Sequence, residues 1–92
     1  MTTIDLDCRP TAKGWSCSVR LAEPGTAPTR HEVTVAQADL ERLAPGAGDP
    51  SELVRRSFDF LLQRESPTSI LRSFDLPAIG HYFPEYEATI RG

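Results

Sequence analysis

Two imidazoles, His31 and His81, and two thiols, Cys8 and Cys17, are the whole stock of imidazole and thiol metal ligands in this chain. A structural zinc site takes four such groups at short, characteristic spacings, and no C-x2-C, H-E-x-x-H or mixed Cys/His spacing occurs. No metal and no other cofactor is expected. Nucleophilic catalysis needs a Ser or Cys beside a base that a third group orients. The stretch 66–85 contains Ser66, Ser69, Ser73, Asp75, His81, Tyr82 and Glu85. Ser66 and Asp75, however, each precede a proline by one or two residues, where helix caps belong. There is no G-x-S-x-G elbow, and Pro45-Gly46-Ala47-Gly48 lacks the lysine and the preceding strand of a phosphate-binding loop. An enzyme or small-ligand binder therefore survives only as an alternative, with a pocket near Asp75, His81 and Tyr82.

Arginines support a third possibility. Arg55, Arg56, Arg64 and Arg72 fall on or near one long amphipathic segment, and Tyr82, Phe83 and Tyr86 are types that stack on bases. Glu52, Asp59 and Glu65 interleave those arginines, and Lys13 is the chain's single lysine. The net charge is −3 and the isoelectric point about 5.3. Phosphate neutralisation supplies most of the affinity for nucleic acid, so binding through Arg55, Arg56 and Arg72 is not the favoured reading.

The feature hardest to absorb into a core is the C-terminal run of aromatic and aliphatic side chains. Phe74, Leu76, Ile79, Tyr82, Phe83, Tyr86 and Ile90 crowd into the last fifth of the chain. Exposed aromatics of this kind mark partner surfaces. We therefore take Phe74, Ile79, Tyr82, Phe83 and Tyr86 as candidate partner-binding residues. The competing reading is that they close one side of the central helix.

The elements that position these groups follow from periodicity. The chain has 92 residues, 39% apolar and 25% charged, with six glycines and eight prolines. That is one small globular domain with no membrane span. Ile4, Leu6 and Cys8 alternate with polar residues, as do Trp15, Cys17, Val19 and Leu21, which predicts two half-buried strands joined by Arg9–Gly14. Val33 and Val35 predict a third strand over 31–35. Residues 38–43 suit a short helix ended by Pro45-Gly46. Asp49-Pro50-Ser51-Glu52 has the order of a helix start: acidic cap, proline, then glutamate.

The helix from about 50 to 65 spreads Leu53, Val54, Phe58, Phe60, Leu61 and Leu62 over an arc of about 200° at ~100° per residue. An arc so wide needs cover on two sides. Arg55 and Asp59 are spaced for an i,i+4 pair on its polar stripe. Pro67, Pro77 and Pro84 then divide the rest into three short helices, the first bearing Ile70, Leu71 and Phe74. Arg56-Ser57-Phe58-Asp59 recurs as Arg72-Ser73-Phe74-Asp75, but the first copy falls mid-helix and the second at a helix end, so chance explains the echo.

The first residues have neither a basic nor an apolar leader region. A cytoplasmic location is expected, and with it two buried, reduced thiols at Cys8 and Cys17, with a structural disulfide as the main alternative and a reactive thiol behind it. Ile70-Leu71-Arg72-Ser73-Phe74-Asp75-Leu76-Pro77 and Tyr82-Phe83-Pro84-Glu85-Tyr86 resemble segments of small bacterial proteins of unknown function, mainly actinobacterial. The likeness spans roughly the C-terminal two-thirds, and the lysine-poor, Ala/Arg/Pro-rich composition suits a high-GC genome. It implies a stand-alone cytosolic protein and supplies no activity, cofactor or catalytic residue.

The expectation is a single α+β domain over 1–92. A three-stranded antiparallel meander (1–35) packs on a central helix and several short C-terminal helices (36–92). Its function is that of a non-enzymatic interaction or regulatory module, binding a protein partner or a second copy of itself.

Overall fold

The computed structural model describes residues 2–91. Strands β1 (Thr3–Pro10) and β2 (Gly14–Ala22) form an antiparallel hairpin with Ile4 opposite Leu21, Leu6 opposite Val19 and Cys8 opposite Cys17. The Thr11 amide donates to the Gly14 carbonyl at 2.8 Å to close the turn. Glycine is required at position 14 by close approach: a Cβ there would sit 2.2 Å from the Val35 carbonyl oxygen. Strand β3 (Thr29–Ala36) pairs antiparallel with β2. Val33, Val35, Val19, Leu21 and Cys17 are all buried on the same face, as period-two alternation requires.

The meander is not the whole sheet. Ser73–Asp75 forms a fourth strand, β4, parallel to β3 with Phe74 beside Val33, and the strand order is β1-β2-β3-β4. The sheet is therefore mixed, which corrects the expected three-stranded antiparallel arrangement. The helix expected through Ile70, Leu71 and Phe74 is likewise a 3₁₀ turn, Pro67–Ser69, followed by extended chain. Two hydrogen bonds account for the change. The Glu32 amide donates to the Arg72 carbonyl at 2.7 Å, and His31 Nδ1 lies 2.7 Å from the Leu71 carbonyl oxygen. The first pairs the otherwise bare backbone edge of β3, and the second satisfies a buried imidazole nitrogen; a helix at 70–75 would leave both without these partners.

Helix α1 (Gln37–Leu43) follows β3 directly and buries Leu40 and Leu43. Helix α2 (Ser51–Leu62) is the centre of the molecule. Asp49 Oδ1 accepts from the Ser51 amide at 2.8 Å from outside the helix, whose N-cap is Pro50 without a side-chain cap bond, which corrects the expected aspartate cap. The Ser51 bond to the charged form holds the Asp49 carboxyl below its ordinary pKa. The helix ends three residues earlier than expected, where the Arg64 and Glu65 amides both turn back to the Leu61 carbonyl at 2.9 Å.

Leu53, Val54, Phe58, Phe60 and Leu61 are buried and Leu62 is half-buried, so the wide arc is covered on both sides. Phe58 faces the sheet, its ring centroid 5.6 Å from His31 and 6.1 Å from Phe74. Phe60 faces the C-terminal segments, edge-on to Phe83 at 5.9 Å and to Tyr86 at 5.3 Å. Those segments are a 3₁₀ turn at Leu76–Ala78, helix α3 (Ile79–Tyr82) and helix α4 (Tyr86–Arg91).

Cys8 and Cys17 form a disulfide, and no cysteine is free. The expectation of reduced thiols is corrected. Both side chains do point inward, but they stand directly opposite across the hairpin with Cα atoms 4.0 Å apart, the narrow spacing of a non-hydrogen-bonded pair. Disulfides persist in oxidising compartments and are rare in cytosol, so the bridge lends no support to a cytoplasmic location. Denatured, unreduced protein treated with iodoacetamide is expected to carry no adduct, and two adducts would contradict the bridge. Reduction is expected to lower stability by roughly 2–3 kcal/mol, because the unfolded chain loses a closed loop of about ten residues.

By the two-residue period, Ile4 also occupies a non-hydrogen-bonded position, so its carbonyl points out from the sheet edge. Arg55 Nη1 donates to it at 3.0 Å. One exposed acceptor of the β1 edge is thereby covered.

Candidate functional site

Beside β4 lies an apolar groove of about 280 Å³. Its floor is Leu61 at the end of α2, Ile70 after the 3₁₀ turn and Ile79 at the start of α3, all buried. Phe74 and Phe83 are half-buried walls. Leu71 and Tyr82 form the rim, 47% and 67% exposed, the exposed large hydrophobic side chains among the described residues. Glu65 and Ser69 complete the lining.

Prolines build this arrangement. Pro67 sits in the turn that releases Ile70 and Leu71 into extended chain, Pro77 starts the turn ahead of α3, and Pro84 follows α3 after a single helical turn. On α3 the i, i+3 spacing of Ile79 and Tyr82 places them on one flank, running from floor to rim, and Phe83 follows as the extended residue that ends the helix.

Four of the five candidate partner-binding residues, Phe74, Ile79, Tyr82 and Phe83, line this groove. Tyr86 does not. It is fully buried, with its hydroxyl 2.7 Å from Ser57 Oγ, and Ser57 Oγ lies 2.7 Å from the Leu53 carbonyl oxygen. The carbonyl can only accept, so Ser57 donates to it and Tyr86 donates to Ser57. Burial pushes the Tyr86 phenol up to about 12, partly offset by the bond to Ser57. Tyr86 is a core residue.

The alternative site does not assemble as expected. Asp75 and His81 line a second cleft of about 720 Å³ with Lys13, Trp15 and Asp39, while Tyr82 lies on the first groove instead. Within that cleft the Asp75 carboxylate accepts from the Thr34 hydroxyl, and Asp39 pairs with Arg42 at 3.1 Å. Nor do the three arginines make one surface. Arg55 is tied to β1, and Arg56 Nη2 donates to the Ile90 carbonyl on α4 at 2.8 Å. Arg72 is exposed just before β4. Among the described residues Arg55 makes no ion pair with Asp59. Arg64 lies over the Phe60 ring at 3.6 Å and reaches Glu85 at 3.3 Å. Among the described residues no three of His, Cys, Asp and Glu stand together as a metal site would require.

Two buried polar groups escaped the sequence reading. His31 is 2% exposed, and its Nδ1 must carry the proton because the Leu71 carbonyl only accepts. Its Nε2 lies 3.0 Å from the Thr29 hydroxyl. The signal was available, since position 31 shares the inward parity of Val33 and Val35. Ser57 sits midway between Leu53 and Leu61 on the apolar face of α2, where 3.6-residue spacing places it. Leu71 was missed as a rim residue because its segment was expected to be helical.

No family model matches the chain, and neither the curated proteins nor the solved structures compared with it give a match.

Proposed function

We propose that this chain is a non-enzymatic interaction module whose groove receives an apolar anchor side chain from a protein partner. The observation that carries the proposal is the juxtaposition of an open rim, Leu71 and Tyr82, with a buried aliphatic floor. A volume of about 280 Å³ is at or below the small end of ligand pockets, roughly 300–1,000 Å³. It suits one or two side chains better than a cofactor-sized molecule. Tyrosine at the rim combines a large apolar face with a hydroxyl that remains solvated, the combination enriched at protein interfaces.

The rim draws on residues that the core does not require. Phe74 against Phe58, and Phe83 and Tyr86 against Phe60, already cover both flanks of α2, so Leu71 and Tyr82 are not needed to close the interior.

The test is a titration of ¹⁵N-labelled protein with short peptides bearing a single Leu, Phe or Trp anchor. Shifts should cluster at positions 65, 69–74 and 78–83 and vanish in Leu71→Asp. Shifts centred on Trp15, Asp75 and His81 would favour a ligand in the second cleft, and no shift with any peptide would overturn the proposal.

A further inference from the structure

Strand β1 is one edge of the sheet, and its outward backbone is closed at both ends and open in the middle. Ile4, Leu6 and Cys8 share the parity that turns N–H and C=O away from β2. At Ile4 the carbonyl is taken by Arg55, and Pro10 has no N–H to give. Among the described residues, no hydrogen bond from a turn, a loop or a side chain reaches the backbone of Leu6 or Cys8. Each therefore presents one open donor and one open acceptor. Their side chains are half-buried on the inner face, where Cys17, Val19, Val33 and Val35 are fully covered.

We propose that this edge pairs with the same edge of a second copy, antiparallel about a two-fold axis at Asp7. The surface is separate from the groove, which lies beside β4 at the opposite edge of the sheet. The open backbone groups select both occupant and register. With Asp7 opposite Asp7, the Leu6 N–H donates to the Cys8 carbonyl and the Cys8 N–H to the Leu6 carbonyl, each once in either direction, and no open group is left over. A slip of two residues one way sets Cys8 against the occupied carbonyl of Ile4. A slip the other way sets Leu6 against the missing donor of Pro10. The same register places Asp5 opposite Arg9 on the outer face, twice by symmetry, and both side chains are exposed. Opposite charges directly across two strands stabilise the pair. On the inner face Leu6 of each chain comes beside Cys8 of the other and covers what one chain leaves open. The Asp7 pair on the axis opposes association. Arg9 lies 3.4 Å from Asp7 of its own chain and Arg20 3.8 Å from Asp5, so carboxylates and guanidinium groups balance at the join although each chain carries −3. Two backbone residues from each chain make a short contact, so the dimer is weak and dissociates on dilution.

Sedimentation velocity over a dilution series from roughly 1 mM downward spans the weak range of specific association. Wild-type protein should pass from dimer to monomer across the series. Asp5→Arg moves the net charge from −3 to −1, which favours association if net charge alone decides; the crossed register predicts instead a dimer at least about tenfold weaker. D5R/R9D returns the net charge to −3 and restores the crossed pairs, so the dimer should return with it. Asp7→Asn should tighten the dimer about threefold by removing the like-charge pair. These side chains are exposed on the outer face, so circular dichroism should be unchanged in all three variants. A wild-type protein that stays monomeric, an Asp5→Arg variant that associates more strongly, or a double variant no better than Asp5→Arg overturns the pairing. Leu71→Asp should leave the dimer intact while it removes the peptide shifts at the groove; association lost in that variant would overturn the edge assignment, and shifts retained in it would bear on the groove alone.

Discussion

Phe58→Ala is expected to destabilise the protein by about 3–5 kcal/mol, the range for removing a fully buried phenylalanine that its surroundings cannot replace. Phe58 is completely buried and fits between His31 and Phe74, one ring from β3 and one from β4. The cavity left by alanine would lie against β3 and β4, which are already paired with each other. His31 is fixed to the Leu71 carbonyl and Thr29, and Phe74 is held in register beside Val33. Neither can swing inward to refill the space, which places the effect in the upper part of the range for large-to-small substitutions. Urea titration followed by circular dichroism checks it. A loss under about 0.5 kcal/mol, the size of a surface effect, would show that α2 is not covered by the sheet.

The second large effect is alkaline. Tyr86 is buried beneath Phe60 with its phenol pushed up to about 12, against an ordinary value near 10. A raised folded-state value means that the native protein keeps this proton while the unfolded chain loses it. The stabilisation is fully present below about pH 10 and is lost as pH rises through about 12. Two pKa units correspond to roughly 3 kcal/mol, so unfolding midpoints should fall steeply across that window.

Tyr86→Phe should flatten this dependence, because it removes the ionising group. The same change should cost about 1 kcal/mol at neutral pH through the lost hydrogen bond to Ser57. Ser57 keeps its bond to the Leu53 carbonyl, so no buried donor is orphaned by the substitution. A variant as sensitive to alkali as the wild type would place the titrating group elsewhere.

The features legible in sequence were those with a sustained period. β1 and β2 alternate over most of their eight and nine residues, and α2 keeps its apolar arc for a full twelve. The fourth strand is three residues long, too short for any period to register, and it forms because β3 presents a bare edge. Arg-Ser-Phe-Asp shows how completely that context decides. At 56–59 it lies inside α2 and at 72–75 it runs into β4, with the phenylalanines of the two copies 6.1 Å apart in the core.

The disulfide was hidden for a related reason. Alternation put Cys8 and Cys17 on one face, but their pairing depends on a register that only the closed turn at Thr11–Gly14 fixes. At the groove, aromatic composition was informative and placement was not. Tyr82 and Tyr86 lie four residues apart, yet Pro84 separates α3 from α4, leaving one tyrosine on the rim and the other beneath Phe60.

The proposed function requires that the rim of the groove be kept open for contact and not for folding. The most direct test compares the unfolding free energy and the peptide-induced shifts of Leu71→Asp in the same buffer. A carboxylate at an exposed rim should leave the urea midpoint within about 0.5 kcal/mol of wild type while abolishing the peptide-induced shifts. A variant that unfolds several kcal/mol more easily, or one that still shows the shifts undiminished, would contradict the assignment of this groove as the working surface.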